Sequence, residues 1–348
     1  MRYESIVDTV GDTPLVRLHR ILPEGAGTVW LKLEGFNPGG SVKDRPARQM
    51  VRAARAAGVL AAGGTVVEAS SGNLGAALAM VGAAEGHPVR IMIDPRTSTS
   101  NAAAIAVFGA GCETVTEPDE NGKYQLPRIR RARAVAAGIP GAFVPDQWGN
   151  PDNPAAHELA TGPEIVRELA GAVAAVVCTT SSCGQVTGVG RAVKRAVPGV
   201  RVVAVDGVGS MALGGPRGHH KLTGIGSGFT PDNLDPSVID EVYWCADGDA
   251  FATCRVLARE EGVLVGGSSG AATFLALKLA VELGAGQNVV AVCPDGGERY
   301  LDTVYDDGWL AANGCAGALS AGPADLVRRT GRYQPVPGAR ITPYRVSR

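Results

Sequence analysis

The segment NPGGSVKDRPA, residues 37–47, places Lys43 at the exit of a glycine-rich turn, just ahead of an alanine-rich run that reads as a helix. An ammonium there faces the positive end of the helix dipole, and partial burial lowers its pKa further. Both effects favour the neutral amine that attacks carbonyls. A Schiff-base lysine needs this setting, although a solvated lysine beside a helix cap satisfies the same letters. Ser41 and Asp44 have the S-x-x-D spacing of a capping box, while Pro46 fits better behind an Asp44 cap. Either way Lys43 is expected at the helix mouth.

Three further loops set small and hydroxyl residues between a strand-like run and a helical one. EASSGNLG, residues 68–75, offers Ser70, Ser71, Asn73 and backbone N–H groups, a set suited to a carboxylate or to ordinary capping. TTSSCGQVTGVG, residues 179–190, suits a phosphate, because its oxygens can collect N–H groups without side-chain bulk. Neither a Walker A loop nor a full G-x-G-x-x-G is present in it. Cys183 lies where a dipole could lower a thiol pKa, which makes it a weak candidate nucleophile. In VGGSSGAA, residues 265–272, Ser268 either aims a hydroxyl at a buried ring nitrogen or caps the following helix.

The elements that must position these loops are strands alternating with helices. Strand-like runs are TVVEA (65–69), VRIMI (89–93), CETVT (112–116), AAVVC (174–178), VRVVAVD (200–206) and NVVAVC (288–293), and VGGSSGAA also follows a short apolar run. Helical stretches such as GAALAMVGAAEG, AAHELATGPEIVRELAG and GAATFLALKLAVELGAG lie between them. The pattern predicts an α/β chain of βαβ units with parallel sheets, whose ligands bind at the carboxyl ends of the strands. FVPDQWGNPDNP, residues 143–154, reads as the crossing between a smaller lobe and a larger one. From about residue 311 periodicity fades, and a loosely packed tail is expected.

The chain has 348 residues, 33 Lys plus Arg, 34 Asp plus Glu and a net charge of -1. That balance supplies no basic field for nucleic acid or a membrane surface, so small molecules are the expected partners. The seven cysteines include no C-x-x-C or zinc-like spacing, which fits a reducing cytoplasm. MRYESIVDTVGDTPL lacks an apolar targeting core, and no apolar run reaches the roughly 18 residues of a spanning helix.

Taken in order, GDTPLVRL, NPGGSVKDR, SSGNLG, NPDNPAAHELATGPEI, GVGRAVK, HHKLTGIGSGFTPDNLD, EEGVLVGGSSGAA and GGERYL resemble the pyridoxal-phosphate enzymes of the cysteine synthase family, from about residue 5 to about residue 310. The resemblance implies the tryptophan synthase β-like fold, fold type II: two open parallel-sheet lobes with pyridoxal 5'-phosphate between them. Residues 1–37 and 148–310 would form the larger, cofactor-binding lobe and residues 38–147 the smaller, substrate-binding one, with 311–348 outside the match. Lys43 would tether the cofactor and serve as general base. Asn73 would hydrogen-bond its phenolic oxygen, and Ser181, Ser182, Cys183, Gly184 and Gln185 would cradle its phosphate. Ser268 would face its pyridine nitrogen, where a neutral hydroxyl makes a weaker electron sink than a carboxylate and favours elimination from Cβ. Ser70, Ser71, Asn73 and Gln147 would bind the substrate's α-carboxylate. A homodimer is also implied.

Within the family, the cradle SSCGQ departs from the usual G-T-G-G-T, and Leu74 stands where a threonine is usual. SSGNLG, EPDENGKYQLPRI (117–129) and PDGGERYLDTVYDDGWL look instead like the diaminopropionate branch, whose members join O-phospho-L-serine to L-glutamate through the amine and release phosphate. A leaving phosphate and a γ-carboxylate both call for cations, and Arg128 is the first candidate, with Lys123 and Tyr124 behind it. Lys123, Arg128, Arg130, Arg131 and Arg133 could instead form a solvated helix face, a reading that weighs equally for all but Arg128. Trp148 replaces the smaller ring expected in that branch. A sulfhydrylase acting on O-phosphoserine or O-acetylserine is the alternative. A non-catalytic homologue is disfavoured by the intact Lys43, Asn73 and Ser268, and a dehydrogenase by the missing fingerprint loop. In the diaminopropionate branch a separate NAD-dependent oxidising enzyme is expected to act next, toward a siderophore or antibiotic.

Overall fold

The structure is a computed structural model that describes residues 2–344. Among these residues the strands are β1 (Leu15–Arg17), β2 (Thr28–Leu33), β3 (Val66–Ala69), β4 (Val89–Ile93), β5 (Gly111–Thr114), β6 (Ala175–Thr179), β7 (Arg201–Gly207), β8 (Glu241–Cys245), β9 (Asn288–Cys293) and β10 (Val336–Pro337). A small parallel sheet has the order β3-β4-β5, and a large one the order β1-β2-β9-β6-β7-β8-β10. The inner five strands of the large sheet run parallel, and only the edge strands β1 and β10 are antiparallel. Unbroken valine runs are what strands covered on both faces require; β6 is buried throughout, and β9 from Val289 to Cys293.

The helices are α1 (Asp44–Ala56), α2 (Asn73–Glu85), α3 (Thr99–Val107), α4 (Gln125–Ala137), α5 (Asp152–Ala156), α6 (Gly162–Glu168), α7 (Gly184–Ala196), α8 (Asp247–Val256), α9 (Gly267–Leu283), α10 (Asp307–Ala312) and α11 (Pro323–Thr330). α4 packs on β3 and β4, and α9 packs on β9, β6 and α8. Buried from Gly267 to Ala280, α9 is predominantly apolar rather than amphipathic, as suits a helix enclosed by protein. The small sheet meets the crossing at Phe143, whose N–H and C=O bond Thr65 and Val67 at 2.9 Å each.

Two expectations are corrected. The apolar run before VGGSSGAA is not a strand: Val265 makes only an isolated bridge to Gly296. The segment after residue 310 is packed rather than loose. Ala318 and Leu326 are fully buried in the main core, Tyr333 stacks edge-on to Phe274 at 5.1 Å, and β10 closes the β8 edge. Its Pro, Gly and Arg content conceals a few well-spaced apolar residues that cover α8 and α9. Residues 345–348 of that predicted tail lie outside the described residues. All seven cysteines are free, and only Cys112 is exposed. No helix among the described residues is long and apolar enough to cross a membrane.

Candidate active site

The turn before α1 is stitched to the end of β9. Val42 N–H donates to Pro294 O at 2.7 Å, Ser41 bridges Asp295, and Arg299 Nη2 donates to Gly39 O at 2.8 Å. α1 starts at Asp44 with Lys43 in the capping position and no side-chain cap. The capping-box letters are used differently: Ser41 Oγ accepts from Lys43 N at 3.2 Å and Asp44 Oδ2 from Gly39 N at 2.5 Å. Lys43 is therefore held at the helix mouth by its backbone. Burial pushes its pKa down, against the opposing pull of the Asp295 and Glu34 charges.

Beyond β3, the loop 70–73 opens α2. Ser70 Oγ accepts from Gly75 N at 3.0 Å and Gly72 N at 3.3 Å. Ser71 Oγ donates to Asp94 Oδ2 at 2.6 Å and receives Arg128 Nη1. Asn73 Nδ2 donates to Asp295 Oδ2 at 2.7 Å, while its Oδ1 receives Arg299 Nη1. Gln147 lies alongside, its Nε2 3.4 Å from Ala69 O. A cavity of about 450 Å³ is lined by Lys43, Ser70, Ser71, Asn73, Arg128 and Gln147 on the side of the small sheet, and by Ser181 and Ser268 on the side of the large one.

Ser182, Cys183, Gly184 and Gln185 are not on that lining; they are buried behind Ser181 at the start of α7. Cys183 adopts a left-handed φ of 61°, which turns the chain into the helix. Asn153 braces the turn, donating to Ser182 Oγ at 3.0 Å and Gln147 O at 2.7 Å. It sits so close that a Cβ on Gly184 would lie 2.1 Å from its Oδ1. Gln185 Nε2 is buried without a partner, and α7 has no side-chain cap. Uncapped N–H groups plus an unpartnered buried amide fit an anion such as a phosphate. The idea that the helix dipole activates Cys183 is corrected, since burial, with the charge of Asp206, holds its thiol well above the ordinary value.

Sequence reasoning assigned no role to Asp295, Arg299, Tyr300, Asp94 or Arg96. Asp295, whose carboxyl is raised by burial, is bonded by Tyr300 Oη at 2.5 Å as well as by Asn73. The only signal for it was the position of PDGGERYL after a strand. Asp94 pairs with Arg128 Nε at 3.1 Å and accepts from Arg96 N at 2.8 Å.

A half-buried lysine, a carboxylate-sized loop and an anion cradle meet at the carboxyl ends of parallel strands, and this defines an α/β enzyme built around a phosphorylated carbonyl cofactor. Residues 6–295 match the family described as pyridoxal-phosphate dependent enzyme. The chain belongs to that family; it is a pyridoxal-phosphate-dependent enzyme of the cysteine synthase type, with fold type II. It is 43% identical to an N-(2-amino-2-carboxyethyl)-L-glutamate synthase of Ralstonia nicotianae over 93% of this chain and 96% of that one. To a probable cysteine synthase of Bacillus subtilis it is 44% identical, over 86% and 96%. Among solved structures, an O-ureido-L-serine synthase superposes with a TM-score of 0.81 at 38% identity, covering 89% of this chain and 100% of that one. The Entamoeba histolytica cysteine synthase gives 0.83 at 33%, covering 94% and 96%.

Proposed function

We propose that the protein carries out β-replacement on O-phospho-L-serine with L-glutamate as nucleophile, giving N-(2-amino-2-carboxyethyl)-L-glutamate and phosphate, a step toward L-2,3-diaminopropionate. Bound pyridoxal phosphate supplies an electron sink for the substrate's α-carbon. Lys43 removes the α-proton and later returns it, as a buried amine with a lowered pKa can. Ser70, Ser71, Asn73 and Gln147 hold the α-carboxylate so that the Cβ–O bond can break. The start of α7 would hold the cofactor phosphate, and Ser268, which lines the cavity, would supply a neutral hydroxyl to its ring nitrogen. In the net reaction the Cβ–O bond to phosphate breaks, a Cβ–N bond to glutamate forms, and the amine's proton leaves with the phosphate.

One observation carries the choice of glutamate. A second cavity of about 600 Å³ adjoins the first across a shared wall of Ser71, Arg96, Gln125, Arg128, Ile225 and Gly226, and its remaining lining includes Lys123, Arg130 and Arg217. Hydrosulfide needs neither that room nor that charge; an amino dicarboxylate needs both. The identity to the Ralstonia nicotianae synthase points the same way, whereas that to the Bacillus subtilis protein favours a sulfhydrylase as the second reading. Competition of equal L-glutamate and sulfide for O-phospho-L-serine, with products weighed by mass spectrometry, separates the two. The glutamate adduct is expected, and cysteine alone would favour the second. A homodimer in the cytoplasm, followed by an NAD-dependent oxidising enzyme acting on the adduct, completes the proposal.

A further inference from the structure

The second cavity shows which of its cations are free to bind a ligand. Arg128, the first candidate from sequence, is half-buried and engaged at both ends, by Asp94 at Nε and by Ser71 at Nη1. Its charge is matched by Asp94, and its contact with Ser71 ties it to the loop beside the first cavity. Arg96 and Arg217 are different. Arg96 follows β4; its guanidinium lies over the Tyr124 ring at 5.1 Å and donates to Gly122 O at 3.0 Å, with no carboxylate partner among the described residues. Arg217 follows β7; it lies over the Tyr344 ring at 6.0 Å and touches Met211 Sδ at 3.3 Å, again without a carboxylate.

Each guanidinium is thus braced on a phenol ring, which restricts it while leaving its N–H edge available. The Tyr344 brace is itself fixed, its N–H and C=O bonded to Thr230 at 2.8 and 2.7 Å. None of the carboxylates lining this cavity is ion-paired with either arginine. Asp94 is taken by Arg128, and Asp119 accepts the N–H groups of Asn121 and Lys123 at 2.9 Å; Glu120 is exposed. One arginine comes from the small-sheet side and the other from the large-sheet side, facing one space that opens onto the amino-acid loop.

We propose that this cavity is the docking site of the nucleophilic co-substrate and selects an amine bearing two carboxylates, with Arg96 and Arg217 as the carboxylate receptors. This deepens, and rests on, the β-replacement reading above. Binding here presents the amine through the shared wall to the Cβ of the amino acid held at 70–73, and keeps the co-substrate out of the first substrate's place.

The test uses the cofactor-loaded enzyme and its Arg96→Ala, Arg217→Ala and Arg96→Lys variants. Steady-state KM is measured for each substrate, and binding of glutarate, which has both carboxylates but no amine, is measured by calorimetry. Each alanine variant is expected to raise the KM for glutamate and the Kd for glutarate about 10- to 100-fold, the loss of one charge-assisted contact, with the KM for O-phospho-L-serine unchanged. Both are expected to narrow the preference for L-glutamate over L-norvaline, and Arg96→Lys to recover part of the loss. Unchanged KM for glutamate in both alanine variants, in an enzyme that makes the glutamate adduct, overturns this inference alone. A rise confined to O-phospho-L-serine overturns it as well, reassigning the cations to the departing phosphate. Wild-type enzyme that forms no adduct with glutamate overturns the β-replacement reading itself.

Discussion

At Lys43 burial acts on one amine, and the cofactor-free protein carries the consequence. The folded pKa lies below the ordinary 10.5, so between the two values the unfolded chain binds the proton and the folded chain does not. Stability of the wild-type apoprotein therefore rises with pH through that window, by at most about 1.4 kcal/mol per pH unit. Lys43→Met removes the effect. The variant should be the more stable at neutral pH, and urea midpoints of the two should converge as pH rises toward 10.5; a pH-independent gap would show that Lys43 is charged in the fold. Gly184 sets a second limit at this scale. Gly184→Ala puts a methyl 2.1 Å from Asn153 Oδ1 and displaces the brace of Ser182 and Gln147. Cofactor affinity, read by absorbance titration, should weaken at least about tenfold, or 1.4 kcal/mol, and unchanged affinity would remove the 181–185 turn from the cofactor site.

At the scale of elements, one buried ion cluster ties α1 to its neighbours. Arg45 bonds Glu34 at 2.6 Å and Glu164 of α6 at 2.7 Å, and Lys32 of β2 reaches Glu164 at 2.9 Å. Arg45→Met would leave two carboxylates buried with too few cations, a loss of about 3–5 kcal/mol that urea denaturation can read. Burial alone would raise the Glu164 carboxyl, but Arg45 and Lys32 pull it down to about 2. The cluster's stabilisation is thus full above the ordinary carboxylate range, near 4.5, and is lost as pH falls toward 2. Denaturation midpoints in wild type should fall across that window more steeply than in Glu164→Gln.

The same cluster explains what sequence could not show. β4 and β9 were legible residue for residue, because apolar β-branched runs bounded by turns admit few other readings. β2 was not, since Lys32 sits fully buried in TVWLKL and breaks the apolar pattern, its charge answered only by residues far along the chain. The loops of the candidate site were legible as small-residue turns after strands. Asp94 and Asp295 were not, because their significance comes from meeting Arg128 and Asn73 across a gap no local pattern encodes.

For the whole molecule, the C-terminal segment is part of the core. Tyr333 Oη donates to Asp249 at 2.7 Å and accepts from Ala246 N at 3.1 Å, while Leu326 is fully buried. A chain ending at Ser320 should lose at least the ~2–5 kcal/mol of one buried leucine, visible as a lowered melting temperature; an unchanged one would mean that α11 and β10 merely rest on the fold. The large sheet carries a further consequence, in time. Its β2–β9 pairing sets Trp30 beside Val290 and lets Trp30 Nε1 donate to Asn288 Oδ1, 258 positions along the chain, and the Lys43 turn closes on the same distant strand end. During synthesis β3, β4 and β5 can pair early, but β2 must wait, unpaired on its β9 side, until almost the whole chain has left the ribosome. Lys43 therefore reaches its place among the last events of folding, and the cavity it lines is incomplete before then.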